Sequence, residues 1–517
     1  MFALTLPDSK GNLLRVRDGV LLGYISGTVW YLGNCYWIYA TMHTYGGIAK
    51  PVAAGILLLF SLYLGLYHAL FALVFSTISR SLGKKAALFC APFVWVAVEL
   101  ARARITGFPW DLLGVAQIDN PLLTRVAPYT GVYGLSFIIA AVNALWLARI
   151  TLKQRRHART ALAVIGAAVV LLYAIALRYL QTPQEEPTSA VATLVQENLE
   201  VGAQASAAGP ALSHSEMLQA FSALSLFPPT AEACNGMPEV SSTHCGSPSP
   251  QQQGKPSAAF LAPTNLIVWP EAPNSFFEAE KDFRGSLSAL ARTAQAPVIA
   301  GATGVTPNEN VERGYDLYNS AVFIRPDGTF AGRYDKMHLV PFGEYTPYKK
   351  VFFFAGSLLQ DVGLFDPGKK RVVFTSGGHT YGTFICYESV FADEVREYAR
   401  LGAEVLVNIS DDGWYGDTSA AWEHLNQVRM RAIENHRWVL RATNTGVTAA
   451  IDPNGRVVAA IPRHIRSSLR AGFNYEHDVT FYAAHGDLFA WLCVVITIAG
   501  LGRALLLNRK VANSLSA

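Results

Sequence analysis

The chain has 517 residues, of which 51% are apolar and 15% charged, and its mean hydropathy is +0.24. Soluble proteins carry roughly 25% charged residues, so this composition excludes an ordinary soluble globule and points to a membrane protein with a sizeable soluble part. The net charge of +4 is too small to argue for a nucleic-acid partner.

A spanning helix takes about 20 mostly apolar residues. Six segments qualify: 19–42, 51–77, 87–104, 125–150, 161–180 and 485–507. The first carries Trp30, Tyr31, Tyr36, Trp37 and Tyr39, an aromatic content that suits a membrane interface. The third ends among Glu99, Arg102 and Arg104. Lys10, Arg15 and Arg17 precede a long apolar segment without a small-residue cleavage site, so no cleavable signal peptide is expected.

Basic residues cluster at four places: before the first helix, after the second (Arg80, Lys84, Lys85), after the fourth (Lys153, Arg155, Arg156, Arg159) and after the last (Arg509, Lys510). With six crossings all four clusters fall on one side, which the positive-inside rule makes cytoplasmic. The long segment between helices five and six is then extracytoplasmic. The run Thr106-Gly107-Phe108-Pro109-Trp110 falls on the same outer side, as a re-entrant segment or an ordinary Pro turn.

Residues 188–480 read as the soluble part. Short strand-like runs occur at Val191–Val195, Leu266–Trp269, Val298–Ala302, Ser320–Ile324, Val372–Thr375, Gly382–Cys386 and Val405–Ile409. Helical runs fall at Phe283–Ala294, Asp393–Leu401 and Ala421–Ala442, and the alternation argues for a layered α/β domain. Residues 203–262, rich in Ala, Ser, Pro, Gly and Gln, read as a flexible surface insertion. The division is therefore an N-terminal membrane part, 1–187, a soluble part, 188–480, and a C-terminal helix with a cytoplasmic tail, 481–517.

Of the six cysteines, Cys35, Cys90 and Cys493 lie in apolar segments and read as core residues. Cys234 and Cys245 sit in the loop-like tract, where an oxidising compartment would permit a bond between them. No CxxC pair and no Cys/His metal pattern occurs. His338 and His424 have no partners at metal-ligand spacing and are expected to serve in structural hydrogen bonds.

Three segments carry chemistry. Trp269-Pro270-Glu271 puts a carboxylate just past a buried strand; Tyr334-Asp335-Lys336 through Pro341-Phe342-Gly343-Glu344 supplies a lysine and a second carboxylate; Phe384-Ile385-Cys386-Tyr387-Glu388 sets a thiol at a third strand end. Loops at strand ends can converge on one cleft. The loop Ser410–Gly416 follows another strand and is expected to line that cleft. The apolar runs Val351–Phe354 and Leu358-Leu359 are either a lipid contact or a buried turn. In Ala421–Ala442, Glu423, Arg429, Arg431, Glu434, Arg437 and Arg441 are expected to form a salt-bridged helix face.

These segments resemble the Glu, Lys and Cys motifs of the nitrilase (carbon–nitrogen hydrolase) superfamily. With the flanking helices, and with Gly107-Phe108-Pro109-Trp110, Trp422-Glu423-His424 and Arg441-Ala442-Thr443-Asn444-Thr445-Gly446, the chain resembles the apolipoprotein N-acyltransferase family of bacterial inner membranes. The resemblance implies a polytopic helical membrane domain joined to an extracytoplasmic nitrilase-like αββα sandwich. It implies Glu271 as general base, Lys336 as transition-state stabiliser and Cys386 as nucleophile. Lys336 would hold the oxyanion, with the backbone N–H of Tyr387 as a second donor, while Glu344 and Glu388 would orient Lys336 or the incoming amine.

The implied reaction moves an acyl chain from a phospholipid, phosphatidylethanolamine in the family's usual case, to the cysteine and then to the α-amine of a diacylglyceryl-cysteine lipoprotein. No metal or organic cofactor is implied, and a monomer is expected. The same triad would serve a membrane-tethered amidase or nitrilase that uses water as acceptor. A non-catalytic scaffold with a dead nitrilase-like domain is the rival from another class. The chain departs from the family pattern in three ways: six helices instead of eight, no Trp within 203–262, and Asp411 where the family has Asn.

Overall fold

The computed structural model describes residues 1–5, 14–152, 187–202, 212–227, 263–271, 276–345 and 365–516. The expected helix at 161–180, Cys234, Cys245, and the runs 247–253, 351–354 and 358–359 lie outside the described residues. The chain divides into two compact units, residues 1–39 with 51–186 and 485–517, and residues 40–50 with 187–484.

The first unit is helical. Its long elements are α1 (Val16–Asn34), α2 (Lys50–Leu82), α3 (Lys84–Ala101) and α4 (Val132–Thr151), joined by the C-terminal α9 (Leu488–Ser516). Phe75 and Ile78 of α2, Ala91 and Val94 of α3, Leu147 of α4 and Ala504 of α9 share one buried cluster. The outward faces keep large apolar side chains exposed, among them Leu59, Phe89 and Ile498, as a surface in contact with lipid would.

Four helices among the described residues are long and apolar enough to cross a membrane: Lys50–Leu82, Lys84–Thr106, Val132–Thr151 and Leu488–Lys510. The expected first span, 19–42, is not among them. Its helix stops at Asn34, and Trp37–Ala40 and Thr41–Tyr45 are separate single turns. Ser26, Thr28 and Asn34 dilute the hydropathy, so aromatic content alone overstated this segment. The Gly107–Trp110 run folds inward, with Trp110 fully buried and its carbonyl accepting from Arg102 Nη1 at 2.5 Å.

The second unit is an α/β sandwich. One sheet runs in the order β12-β1-β2-β3-β4-β5, the other β11-β10-β9-β8-β7-β6. The strands are β1 (Ala190–Gln196), β2 (Leu266–Val268), β3 (Val298–Pro307), β4 (Tyr315–Ile324), β5 (Phe330–Asp335), β6 (Val373–Ser376), β7 (His379–Ile385), β8 (Val405–Ser410), β9 (Val439–Thr443), β10 (Thr448–Ile451), β11 (Val457–Ile461) and β12 (Ser467–Phe473). Within them β1, β2 and β3 run parallel, as do β7, β8 and β9. Both faces of such strands are buried, which is why they read as continuous apolar runs.

Leu194, Val268 and Phe323 of the first sheet share a core with Phe384, Val407 and Leu440 of the second. The other face of the first sheet packs against α5 (His214–Leu226) and α6 (Lys281–Ala294) through Phe221, Phe283 and Leu287. The second sheet carries α7 (Ala392–Arg400) and α8 (Ala420–Asn435). Burying each such Leu or Phe contributes roughly 1.5–3 kcal/mol.

Two sequence expectations change here. The tract 203–262 contains α5, started by a capping box in which Ser213 and Glu216 exchange hydrogen bonds. Its Ser225 hydroxyl accepts from the Trp269 indole at 2.8 Å, so this part of the insertion is core. The expected helix Ala421–Ala442 stops at Asn435, because His436 turns left-handed (φ +49°) and Val439–Thr443 leaves to join the sheet. The expected salt-bridged face lies inside the protein: Arg431, Glu434, Arg437 and Arg441 are all buried, and Arg431 Nη2 lies 3.1 Å from Glu434 Oε2.

Candidate active site

The site residues follow strand ends. Glu271 comes three residues after β2, Lys336 directly after β5, Cys386 directly after β7 and Asp411 directly after β8. All four are buried. Lys336 Nζ lies 3.2 Å from Glu271 Oε1 and 2.9 Å from Glu344 Oε1. Burial alone would lower the ammonium's pKa; Glu271 and Glu344 outweigh it and hold Lys336 well above the usual lysine range.

Glu271 is fixed at both oxygens. Oε1 accepts from Asn319 Nδ2 at 2.6 Å as well as from Lys336, and Oε2 accepts from the Asp411 main-chain N–H at 2.8 Å. Asn319 Nδ2 also donates to Glu344 Oε1 at 2.7 Å, so one amide separates two carboxylates. Glu344 Oε2 accepts from Val340 N at 2.7 Å, which closes the lysine loop on itself.

Cys386 opens a 3₁₀ turn, Cys386–Val390, and has φ +49°. A non-glycine residue in this region is strained by roughly 1–2 kcal/mol. Glu388 holds the turn: Oε2 accepts from Ile385 N at 2.7 Å, and Oε1 accepts from Tyr334 Oη and Met337 N, both at 2.7 Å, and from His338 N at 3.2 Å. Glu388 thus ties the lysine loop to the cysteine turn through main-chain groups, whereas Glu344 touches Lys336 itself. The resemblance suggested one role for both. Tyr387 is buried, with its ring edge-on to Phe391.

Burial pushes the Cys386 thiol well above its ordinary value, the Glu271 carboxylate pushes it further, and Lys336 opposes both. The Lys336 ammonium does act to lower it, but burial and the carboxylate outweigh that pull. The resting group is a neutral thiol, poised within electrostatic reach of a carboxylate and an ammonium.

Beneath Cys386 lies a buried polar cluster. His424 Nε2 sits 3.0 Å from Cys386 O, and His424 Nδ1 sits 2.8 Å from Asp412 Oδ1. Asp412 also accepts from Ser410 Oγ at 2.8 Å and from Arg441 Nη2 at 2.5 Å. Burial would raise the Asp412 carboxyl, but Arg441 and His424 hold it well below the usual carboxylate range. Asp411 differs: burial and Glu271 push it up to about 8, against the hydrogen bonds from Gly413 N and Asn444 Nδ2.

Asn319, Asp412 and Arg441 were not singled out as site residues from sequence. The signal for Asn319 was present: it is an amide immediately before the strand-like run Ser320–Ile324. Among the described residues the His/carboxylate group that could hold a metal ion is His436, Glu476 and Asp478, none of which belongs to the set gathered around Cys386.

Residues 177–468 match the carbon-nitrogen hydrolase family model, and residues 1–145 match the apolipoprotein N-acyltransferase N-terminal domain. An apolipoprotein N-acyltransferase of Geobacter metallireducens is 32% identical, over 92% of this chain and 85% of that one. Another, of Methylococcus capsulatus, is 31% identical over 99% and 94%. Among solved structures, an amidase of the nitrilase superfamily from Nesterenkonia AN1 aligns over 59% of this chain and 97% of that one, with TM-score 0.37 and 16% identity. A sequence match that runs across both the helical unit and the sandwich makes this chain a member of the apolipoprotein N-acyltransferase family.

Proposed function

We propose that this chain moves a fatty acyl group from a phospholipid to the α-amine of a diacylglyceryl-cysteine lipoprotein, through a thioester on Cys386. The observation that carries the reading is the buried thiol at φ +49° beside a Glu271–Lys336 pair, in a chain whose relatives bear that name. Glu271 takes the Sγ proton as the sulfur attacks the ester carbonyl, since a thiol with a raised pKa needs a base during attack. The oxyanion forms against Lys336 Nζ and the Tyr387 main-chain N–H. Collapse breaks the ester C–O bond, and Glu271 returns the proton to the departing lysophospholipid hydroxyl.

In the second half the lipoprotein amine attacks the thioester carbonyl. Glu271 takes the amine proton, and the sulfur leaves and recovers it. Dividing one transfer into two displacements gives ping-pong kinetics. Every group in the scheme belongs to one chain, so the scheme asks no more than a monomer. Membrane-embedded substrates and the basic clusters after the second, fourth and last expected helices, which share one side whether or not 19–42 crosses, support an inner-membrane enzyme with the sandwich, residues 188–480, on the outer side.

The test uses full-length protein in detergent with phosphatidylethanolamine. Mass spectrometry of the peptide bearing Cys386 should show a fatty-acyl mass that hydroxylamine removes. Addition of a diacylglyceryl lipopeptide should clear the adduct and yield the N-acyl product. No adduct on wild-type protein, or release of free fatty acid with no amide product, refutes the reading.

A further inference from the structure

The buried cluster under Cys386 is a closed circuit. Asn408 Nδ2 donates to Phe384 O at 3.2 Å, and Arg441 Nη1 donates to Asn408 Oδ1. Arg441 Nη2 donates to Asp412 Oδ2 at 2.5 Å and lies 3.3 Å from His424 Nδ1. Asp412 Oδ1 faces His424 Nδ1, and His424 Nε2 reaches Cys386 O. The path leaves the nucleophile strand at one carbonyl, crosses β8, β9 and α8, and returns two residues later. Asn408, Asp412, His424 and Arg441 are all fully buried.

A carbonyl oxygen only accepts, so His424 Nε2 carries a proton and donates it to Cys386 O. No peptide bond among the described residues is cis. In a trans peptide the C=O and the following N–H point in opposite directions in one plane. Holding Cys386 O therefore also aims the N–H of Tyr387. A left-handed non-glycine residue needs such holding, because rotation toward the common backbone regions would turn this plane.

We infer that His424 is a positioning residue: by gripping the Cys386 carbonyl it aims the Tyr387 N–H at the developing oxyanion. The inference rests on the reading of Cys386 as the acylated nucleophile. His424 acts through the Cys386 carbonyl, which is not a reacting group. Its effect falls on steps that build negative charge on an acyl oxygen and spares steps that do not.

The experiment compares wild type, His424→Ala and His424→Gln as full-length protein in detergent. Two rates are read: acylation of Cys386 by phosphatidylethanolamine, and alkylation of Cys386 by iodoacetamide, a displacement that forms no oxyanion. Misplacing one catalytic donor costs about 10²-fold. His424→Ala should lower the maximal acylation rate by about that factor, with the phospholipid KM and the alkylation rate each held within about threefold. His424→Gln, whose amide N–H can still reach the carbonyl, should recover at least tenfold of the loss, on the order expected for a restored donor.

Alkylation falling in step with acylation would overturn the inference, because His424 would then act on the thiol or on folding. Unchanged acylation in His424→Ala, or no recovery in His424→Gln, would overturn it as well. Wild-type protein that alkylates but never acylates would instead bring down the functional reading, and this inference with it.

Discussion

Asp411→Asn tests the electrostatics of the site through stability. The carboxyl titrates near 3.8 in an unfolded chain and at about 8 in the folded one, pushed up by burial, by Glu271 and by Asp412. Between those values the folded protein holds a proton that the unfolded chain has lost, so this residue's contribution to stability falls as pH rises. It is fully present below about pH 4 and lost as pH passes about 8. A shift of about four units at 1.36 kcal/mol each is at most about 6 kcal/mol. Asparagine does not titrate, and its mismatch with Asn444 Nδ2 adds an offset that pH does not change.

The stability of Asp411→Asn minus that of wild type should therefore move in the variant's favour by several kcal/mol from pH 5 to pH 8, then level off. The assay is thermal unfolding of both proteins in detergent, followed by tryptophan fluorescence at pH 5, 6, 7, 8 and 9. At roughly 2 °C per kcal/mol for a unit of this size, the Tm gap should shift by about 10 °C. A gap that stays constant across this range would refute the assignment of a buried, protonated Asp411.

Asn319→Ala removes the amide that separates Glu271 Oε1 from Glu344 Oε1. The two carboxylates then share Lys336 alone, and kcat for acyl transfer should fall about 10²-fold; activity within threefold of wild type would mean that Lys336 suffices. Glu388→Gln must set an NH₂ against at least one of the donors Ile385 N, Met337 N and His338 N. The mismatch should cost about 2–4 kcal/mol, read as a lower Tm, and should slow acylation because the lysine loop and the cysteine turn are no longer tied. An unchanged Tm would show that Glu388 does not hold them together.

Much of the sandwich was legible in the chain. The runs Leu266–Trp269, Val298–Ala302 and Val405–Ile409 are apolar without alternation, Asn408 apart, as doubly buried strands are, and they fall on the strands β2, β3 and β8. The later strands β9 to β12 were not legible. Residues 436–442 continue a helix-like pattern, and only their place beside β8 makes them a strand. The capping box at Ser213 and Glu216 was readable, yet the surrounding Ala, Ser and Pro content hid it.

The residues alone put the chemistry on offer: one thiol, one lysine and three carboxylates, Glu271, Glu344 and Glu388, near the ends of strand-like runs, in a chain too apolar to be soluble throughout. Those follow from residue type and local periodicity, which act over a few residues. Only the tertiary structure decided how the groups bear on each other. The thiol's pKa rises instead of falling, because burial and Glu271 outweigh Lys336. One histidine, 38 residues on, grips the thiol's own carbonyl. Electrostatic and hydrogen-bond energies depend on distance in space and on exclusion of water, and neither is a property of spacing along the chain.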